Sequence, residues 1–574
     1  MKKYRCRNCN DLECETSICP NCNCRTELMS TEIYWCKECN IPVYYDTCPI
    51  CNNKLSRIGS DLRPVFPEER LLLEVLIDKP MEFAGKSVWN TSGNRYVVDG
   101  KKLKLKVSDL IKKDNKLVIE ELKKYKEENQ KYVDTYYETD YIKKYIEANK
   151  RHLNFITKEA SDYIKGKVKD YSPNEMFVSF SGGKDSTVTS HLVMTALEKK
   201  EVIHIYGNTT LEYPESIKYV ERFKKENPRT PMLVAENKEQ NFNDLCKLVG
   251  PPSRVMRWCC TIFKTGAITR KIESTFKNKK SILTFYGIRR SESASRSKYE
   301  RDSESPKITK QHVASPIIDW LDFDVWLYLI SNKVDFNDAY RKGFTRVGCW
   351  CCPNNSDWSA YLSSIYMKEQ YDVFYNILLD FAKKVGKKDA KVYVATGKWK
   401  ARQGGNGVAY SKNAIVDFKP CALEENTLNF ELSKPVDESL YTFFKPFGKL
   451  DFNMGNKRLN EVFILNKRTE KPILKISGKI GQNIIKISIL DSKFGKSQKD
   501  AQMLLKNQIT KYQTCIACLG CEAVCKFNAI KISKIGDKIN YTIDENKCVN
   551  CLECVRHFPS GCYMKRVLRT KEDK

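Results

Sequence analysis

The sequence predicts an α/β protein with a doubly wound parallel sheet at its centre and small cysteine-rich modules at either end. Three observations carry this. Over residues 170–415 the strand-like runs EMFVSF, EVIHIYGN, PMLVAE and SILTFYGI alternate with helical segments, the pattern of parallel strands joined by crossover helices. The first run leads straight into a glycine turn and a helix, VSFSGGKDSTVTSHLV. That puts an anion-binding loop at the C-terminal end of a strand, where such sheets take their ligands. Most of the 25 cysteines fall in C-x-x-C pairs, which in a reducing compartment means metal ligation rather than disulfides.

A chain of 574 residues has room for several domains, and 41% hydrophobic with 30% charged residues is a folded composition. No run approaches the ~18 apolar residues of a membrane span. The N-terminus, MKKYRC, reaches a cysteine with no apolar signal core, so a cytoplasmic protein with no membrane partner is expected. The net charge of +28 has two readings. One is a polyanionic partner such as tRNA, DNA or a nucleotide; the other is a lysine-rich composition with no nucleic acid attached.

Taken in order, residues 1–58 hold an internal repeat, in which Cys6, Cys9, Cys19 and Cys22 recur as Cys36, Cys39, Cys48 and Cys51. Four thiolates from two tight turns form a closed tetrahedral set suited to structural Zn²⁺, with a rubredoxin-like iron site as the alternative. So short a segment buries little core, and the metal supplies its folding energy. Tandem zinc ribbons are therefore expected, with Cys14 and Cys24 outside the repeat. Residues 59–116 read as a small α/β or β accessory module, whose Trp89, Arg95 and Tyr96 suit an RNA-contacting surface or an ordinary solvated face. Residues 117–169 read as a helical lead-in, with Tyr141, Ile142, Tyr145, Ile146, Leu153 and Ile156 at helical spacing. Residues 170–415 are the main α/β domain, 416–510 an α+β accessory region without evident chemistry, and 511–574 a second cysteine array.

The glycine loop lacks the spacing of a Walker A motif, because Asp185 follows Lys184 where Ser or Thr is required. Glycines ahead of a helix N-terminus still form an anion nest, Lys184 adds charge, and Asp185 could hold Mg²⁺. Ser181-Gly182-Gly183-Lys184-Asp185-Ser186 resembles the pyrophosphate loop of the ATP pyrophosphatase superfamily. The resemblance implies an adenine nucleotide alpha hydrolase-like core. In it these six residues bind ATP or a related adenine nucleotide, and Lys184, Asp185 and Ser186 act in cleavage between the α- and β-phosphates.

Residues 145–400 resemble the phosphoadenosine phosphosulfate (PAPS) reductase family through YGNTTLEYPES, PPSRVMRWCCTIFK, GIRRSESASR and SPIIDWLDFDVWLYL. This implies that Arg257, Arg289, Arg290 and Arg296 grip phosphate or sulfate, for which guanidinium forks are suited. It also implies a [4Fe–4S] cluster on Cys259, Cys260, Cys349 and Cys352, as in adenylyl-sulfate reductases, with Zn²⁺ on the same thiolates as the rival. Cys351 is then a substitute ligand or a free nucleophile. The chain departs from the family twice: it lacks the C-terminal Glu-Cys-Gly tail of the reductases, and its pyrophosphate loop is intact where theirs is usually degenerate.

The terminal array resembles a bacterial two-cluster ferredoxin, in which the fourth cysteine of each run serves the other cluster. Carried over, Cys515, Cys518, Cys521 and Cys562 hold one [4Fe–4S] cluster, and Cys548, Cys551, Cys554 and Cys525 hold the second. Lys526 stands in place of the usual proline, and the last spacing is longer than usual. Together these features predict an iron–sulfur oxidoreductase of sulfur metabolism. It would act reductively on an adenylated or sulfonucleotide substrate, its ferredoxin module fed by an electron donor. The alternative is ATP-dependent thiolation of tRNA or DNA through adenylation of the acceptor.

Overall fold

The computed structural model describes residues 3–6, 9, 12–14, 18–24, 26–30, 32–92, 95–111, 113–254, 257–279, 281–293, 296–304, 311–384, 386–401, 417–535, 538–558, 561–562 and 564. Two small antiparallel sheets open the chain. In the first, Lys3–Cys6 pairs with Leu12–Cys14 and Glu27–Ser30; in the second, Ile33–Cys36 lies between Ile41–Val43 and Ser56–Gly59. The repeat seen in the sequence is thus a repeat in space. Asn23, Asn40 and Asn52, each directly after a C-x-x-C pair, take left-handed backbone angles that turn the chain beneath the thiols.

The two sheets differ in what they pack against. Tyr4, Cys6 and Cys19 form a small cluster of their own, whereas Ile33, Trp35, Ile41 and Val43 join the main core of the molecule. The joint is made with helix α1 (Asp140–Lys167). Its Asn149 accepts from the Tyr44 amide and donates to the Pro42 carbonyl, and its His152 stacks on Tyr44 at 3.5 Å. Helix α1 buries Tyr141, Tyr145, Ala148, His152, Ile156 and Ala160, one stripe at three- and four-residue spacing. A four-stranded antiparallel sheet follows the second ribbon in the order Lys101–Lys104, Arg95–Val98, Val88–Ser92, Arg63–Pro64. Its Trp89 packs on Tyr145 of α1.

The central sheet contains β1 (Met176–Phe180), β2 (His204–Asn208), β3 (Met232–Glu236), β4 (Ile282–Tyr286), β5 (Asp302–Glu304) and β6 (Gln311–Ala314). The order is β3-β2-β1-β4-β6-β5, all parallel except the edge strand β5. Side-chain alternation along β1 shows both faces covered. Val178 packs with Val188 and Leu192 of α2 (Lys184–Leu197), and Phe177 packs with Ala267 and Ile272 of α4 (Gly266–Thr275). Helix α3 (Pro214–Glu226) covers β1 and β2 near their ends, and α5 (Asp322–Ser331) lies beside α1 and α2. The chain moves one way from β1 to β2 and the other way to β4, so the loop after β1 lies at the switch point, the ligand-binding position of such sheets.

The C-terminal part has a second core. An antiparallel sheet runs β7-β8-β12-β11-β10-β9, formed by β7 (Asp417–Pro420), β8 (Thr427–Glu431), β9 (Lys449–Asp451), β10 (Glu461–Leu465), β11 (Pro472–Ser477) and β12 (Ile484–Ile489). Helix α6 (Gln498–Thr514) joins it to the cysteine array, where α7 (Gly520–Val524) and the hairpin of β13 (Ile530–Ile535) and β14 (Lys538–Ile543) belong to the same core.

Candidate nucleotide cleft and metal centres

The glycine loop after β1 folds back over the first turn of α2. Gly182 takes φ +70°, a conformation other residues adopt only at a cost. Ser186 Oγ donates to the Gly183 carbonyl at 2.8 Å and accepts from the Ser181 amide at 3.1 Å. Two side chains brace the loop from the far side: Tyr340 Oη accepts from the Lys184 amide and Asn337 Nδ2 donates to the Gly182 carbonyl, each at 3.0 Å. A loop held this way is ordered before a ligand arrives, which lowers the entropic cost of binding.

Beside Lys184 opens a cleft of about 480 Å³. Its lining pairs four cationic side chains, Arg63, Lys184, Arg289 and Arg346, with four carboxylates, Asp61, Glu292, Asp322 and Asp357. Lys184 and Arg289 are almost completely buried, at 2% and 3% exposure. Lys184 Nζ lies 3.3 Å from Asp322 and 3.4 Å from Asp185; Arg289 donates to Asp185 at 2.5 Å and to Asp322 at 2.6 Å. Burial pushes all four groups toward neutrality, but the mutual pairing outweighs it. Both cations stay charged, and both carboxyls are held below the usual carboxylate range. The cleft therefore holds two preorganised cations on a framework that fixes their direction.

Asp61 comes from the N-terminal accessory segment. It accepts from the amides of Asp322 and Phe323 at 3.0 Å each, capping α5. Burial, and then the charge of Asp322, push its pKa up to about 7. Below that pH Asp61 is neutral and the cleft is more positive; above it the carboxylate repels phosphate. Affinity for AMP should therefore rise as pH falls through 7, by about tenfold beyond the ligand's own titration. Calorimetric titrations at pH 6 and 8 check this, and Asp61→Asn should remove that component.

Among the four arginines expected to grip an oxyanion, Arg289 lines the cleft. Arg290 is turned to Asp319 and the Tyr299 carbonyl, and Arg296 pairs with Glu292. Arg257 is exposed and its charge is felt at Cys352. Arg346 and Asp322, passed over as ligand groups in the sequence, do line the cleft.

Cys259 and Cys260 lie where a helix widens into a π-helical turn, Cys260–Thr265, before α4; such turns recur at functional sites. Cys349 is held by the loop after β2. Trp350 N donates to the Leu211 carbonyl at 3.0 Å, and Thr209 Oγ1 lies 3.4 Å from Cys349 Sγ while donating to Glu212 at 2.7 Å. The four thiols are near enough to perturb one another. Cys260, then burial, raises Cys259; burial and then Glu212 push Cys349 up to about 12; burial raises Cys352, with Cys260 adding to it. Cys351 is buried near Cys246 in an apolar cluster, so it is not presented to solvent as a nucleophile.

The N-terminal cysteines form two compact sets, Cys6, Cys9, Cys19, Cys22 and Cys36, Cys39, Cys48, Cys51. Sulfur–sulfur distances are 3.4 Å for Cys6–Cys22 and Cys36–Cys51, and 3.8 Å for Cys9–Cys19 and Cys39–Cys48. A tetrahedron with metal–sulfur bonds of about 2.3 Å has edges of about 3.8 Å, so each set could bind a metal ion.

In the terminal array Cys515, Cys518, Cys521 and Cys562 form one group of mutually perturbing thiols, with burial first and Cys562 next pushing Cys515 up to about 12. Cys525, Cys548, Cys551 and Cys554 line one apolar cavity together with Pro446, Ile530 and Ile543. The two C-x-x-C-x-x-C runs share a backbone signature. Ala517 and Asn550 have φ of 58° and 57°, and Leu519 and Leu552 have φ of 60° and 59°. Left-handed alanine and leucine are strained, so the matched strain fits two turns wrapped around bound groups.

The terminal array docks on the helix that follows Cys259 and Cys260. Arg270 of α4 donates to Glu522 at 2.9 Å and to Glu239 at 3.0 Å; Glu522, 3% exposed, also accepts from the Ile532 amide at 3.1 Å. Leu519 packs on the bare Cα of Gly266, where a Cβ would stand 2.9 Å from Leu519 Cβ. One apolar cluster results, holding Cys259, Ile262 and Cys351 with Ile516, Cys518 and Cys562.

Residues 175–355 match the phosphoadenosine phosphosulfate reductase domain. An uncharacterized protein of Methanocaldococcus jannaschii is 25% identical over 480 residues, 66% of this chain and 98% of the relative. The adenosine 5'-phosphosulfate reductase of Neisseria meningitidis serogroup A is 38% identical over 98 residues, 17% of this chain; the match spans 36% of that enzyme. Among solved structures, the phosphoadenylyl-sulfate reductase of Candida auris matches 35% of this chain and 95% of its own, at 13% identity and a TM-score of 0.27, too low to bear on function. Among the described residues no helix is long and apolar enough to cross a membrane.

Proposed function

From the phosphoadenosine phosphosulfate reductase domain formed by residues 175–355, we propose that this protein is a nucleotide-dependent oxidoreductase that reduces adenylyl sulfate or PAPS with electrons from its own terminal module. One observation carries the reading: Cys259 of the central cysteine set belongs to the same packed apolar cluster as Cys518 and Cys562 of the terminal array, which supports a redox relay between the two. Cys259, Cys260, Cys349 and Cys352 would hold one [4Fe–4S] cluster, the two terminal cysteine groups two more, and the N-terminal sets Zn²⁺. When bound, the clusters supply single electrons.

The chain's own residues bind and orient. Lys184 and Arg289 take the phosphate–sulfate end of the nucleotide, the Ser181–Ser186 loop seats its phosphate, and Asp185 is the group that would hold Mg²⁺. Two electrons enter the sulfate sulfur, the bond from sulfur to the bridging oxygen breaks, and that oxygen leaves on the nucleotide. The products are sulfite and AMP, or the 3'-phosphorylated nucleotide from PAPS. Two single-electron centres in the terminal module match that stoichiometry.

The test is an anaerobic assay of the iron-reconstituted protein with a reduced viologen. Equal amounts of sulfite and AMP from adenylyl sulfate, with no RNA added, are expected. ATP cleavage to AMP and pyrophosphate that appears only with added RNA, and no sulfite, would overturn the reading in favour of thiolation.

A further inference from the structure

Lys511 occupies the last turn of α6, directly ahead of Cys515, and is 1% exposed. Its ammonium donates to the Cys554 carbonyl at 2.7 Å. Among the described residues it meets no carboxylate. The buried acid beside Cys521 in sequence, Glu522, is taken by Arg270 and Lys531. Lys511 is also tied to both cysteine groups: its ammonium is bonded to the backbone of Cys554, and its own carbonyl accepts from the Cys515 amide at 2.9 Å. A buried ammonium without an anion costs several kcal/mol, so the fold places a cation where an anion is to be bound. A cubane held by four thiolates is a net anion, and one-electron reduction makes it more so.

We propose that Lys511 is a shared counter-cation standing between the two terminal clusters, raising the reduction potential of both. The inference rests on the cluster assignment made above. Each cluster takes up one electron, and no proton moves with it because the ammonium already carries its proton. Lys511 thereby favours the state in which both electrons needed for a two-electron reduction are held together. It is a positioning charge, not a catalytic group.

The experiment is a mediator-based potentiometric titration of the full-length, iron-reconstituted protein, read by electron paramagnetic resonance. Lys511→Met should shift the reduction equilibrium of both terminal clusters at least tenfold toward the oxidised form, about 59 mV for a one-electron couple. Lys511→Arg should leave both within threefold, and the centre at Cys259 and Cys349 should not move in either variant. Unshifted terminal clusters, or a shift confined to one, would overturn the proposal. If Lys511→Met takes up no iron, the urea midpoint of the iron-free chain decides. Removing an uncompensated buried cation should raise that midpoint, whereas loss of a mere structural peg would lower it and refute the proposal. Wild-type protein that binds no iron at the terminal cysteines would instead defeat the cluster assignment itself.

Discussion

Arg270→Ala is expected to uncouple the terminal module while leaving the nucleotide cleft intact. Arg270 bridges Glu239 and the buried Glu522, and Glu522 stands beside Cys521. Removing the guanidinium leaves a carboxylate at 3% exposure whose one remaining cationic partner among the described residues is the exposed Lys531, 3.5 Å away. Arg270 is itself about a third exposed, so the loss is about 2–3 kcal/mol, short of the full penalty of a buried ion pair. That corresponds to a docking equilibrium weakened by about 30- to 150-fold. Sulfite release driven through the terminal module should fall accordingly, while release driven by a small reductant acting directly on the central domain should not change. Equal losses by both routes would mean that Arg270 serves folding rather than electron delivery.

The second large effect is expected at Arg289. Its guanidinium links Asp185 and Asp322 at 2.5 and 2.6 Å and lies inside the cleft. Among the described residues, Arg289→Met leaves Lys184 as the remaining ion-pair partner of those two carboxylates and removes a buried guanidinium fork from the cleft wall. The cost is about 2–5 kcal/mol, a loss of AMP affinity of 30-fold or more with a lower melting temperature. Arg289→Lys should not rescue it, because a single ammonium cannot replace the separate Nε and Nη2 donors that the rigid guanidinium directs at Asp185 and Asp322. Isothermal titration with AMP measures both variants.

Much of this was legible from spacing. Strand–helix alternation with a glycine loop is enough to place β1, α2 and the switch point, because period-two and period-3.6 patterns are local. The paired thiols of the N-terminal repeat follow from C-x-x-C geometry in the same way. The cleft was only half legible. Lys184 and Arg289 stand in motifs, but Asp61 and Tyr340 reach the site from segments more than 100 residues away, and a lone Asp or Tyr carries no signature. Arg290 and Arg296 look like Arg289 in sequence; only the position of Asp319 and Glu292 separates their roles. The docking of Glu522 on Arg270 spans 252 residues and leaves no local trace. Lys511 reads as one more lysine on an amphipathic helix until the second cysteine group folds over it.

The central claim is that electrons held at the terminal cysteines reach a nucleotide bound beside Lys184 and Arg289. A single-turnover experiment tests it most directly. The reconstituted protein is fully reduced, freed of reductant, mixed anaerobically with adenylyl sulfate, and frozen at intervals for electron paramagnetic resonance and sulfite analysis. The terminal-cluster signals should vanish as sulfite appears, one sulfite for every two electrons lost, and Arg270→Ala should slow both together. Terminal clusters that stay reduced while sulfite forms, or that reoxidise with no sulfite, would contradict it.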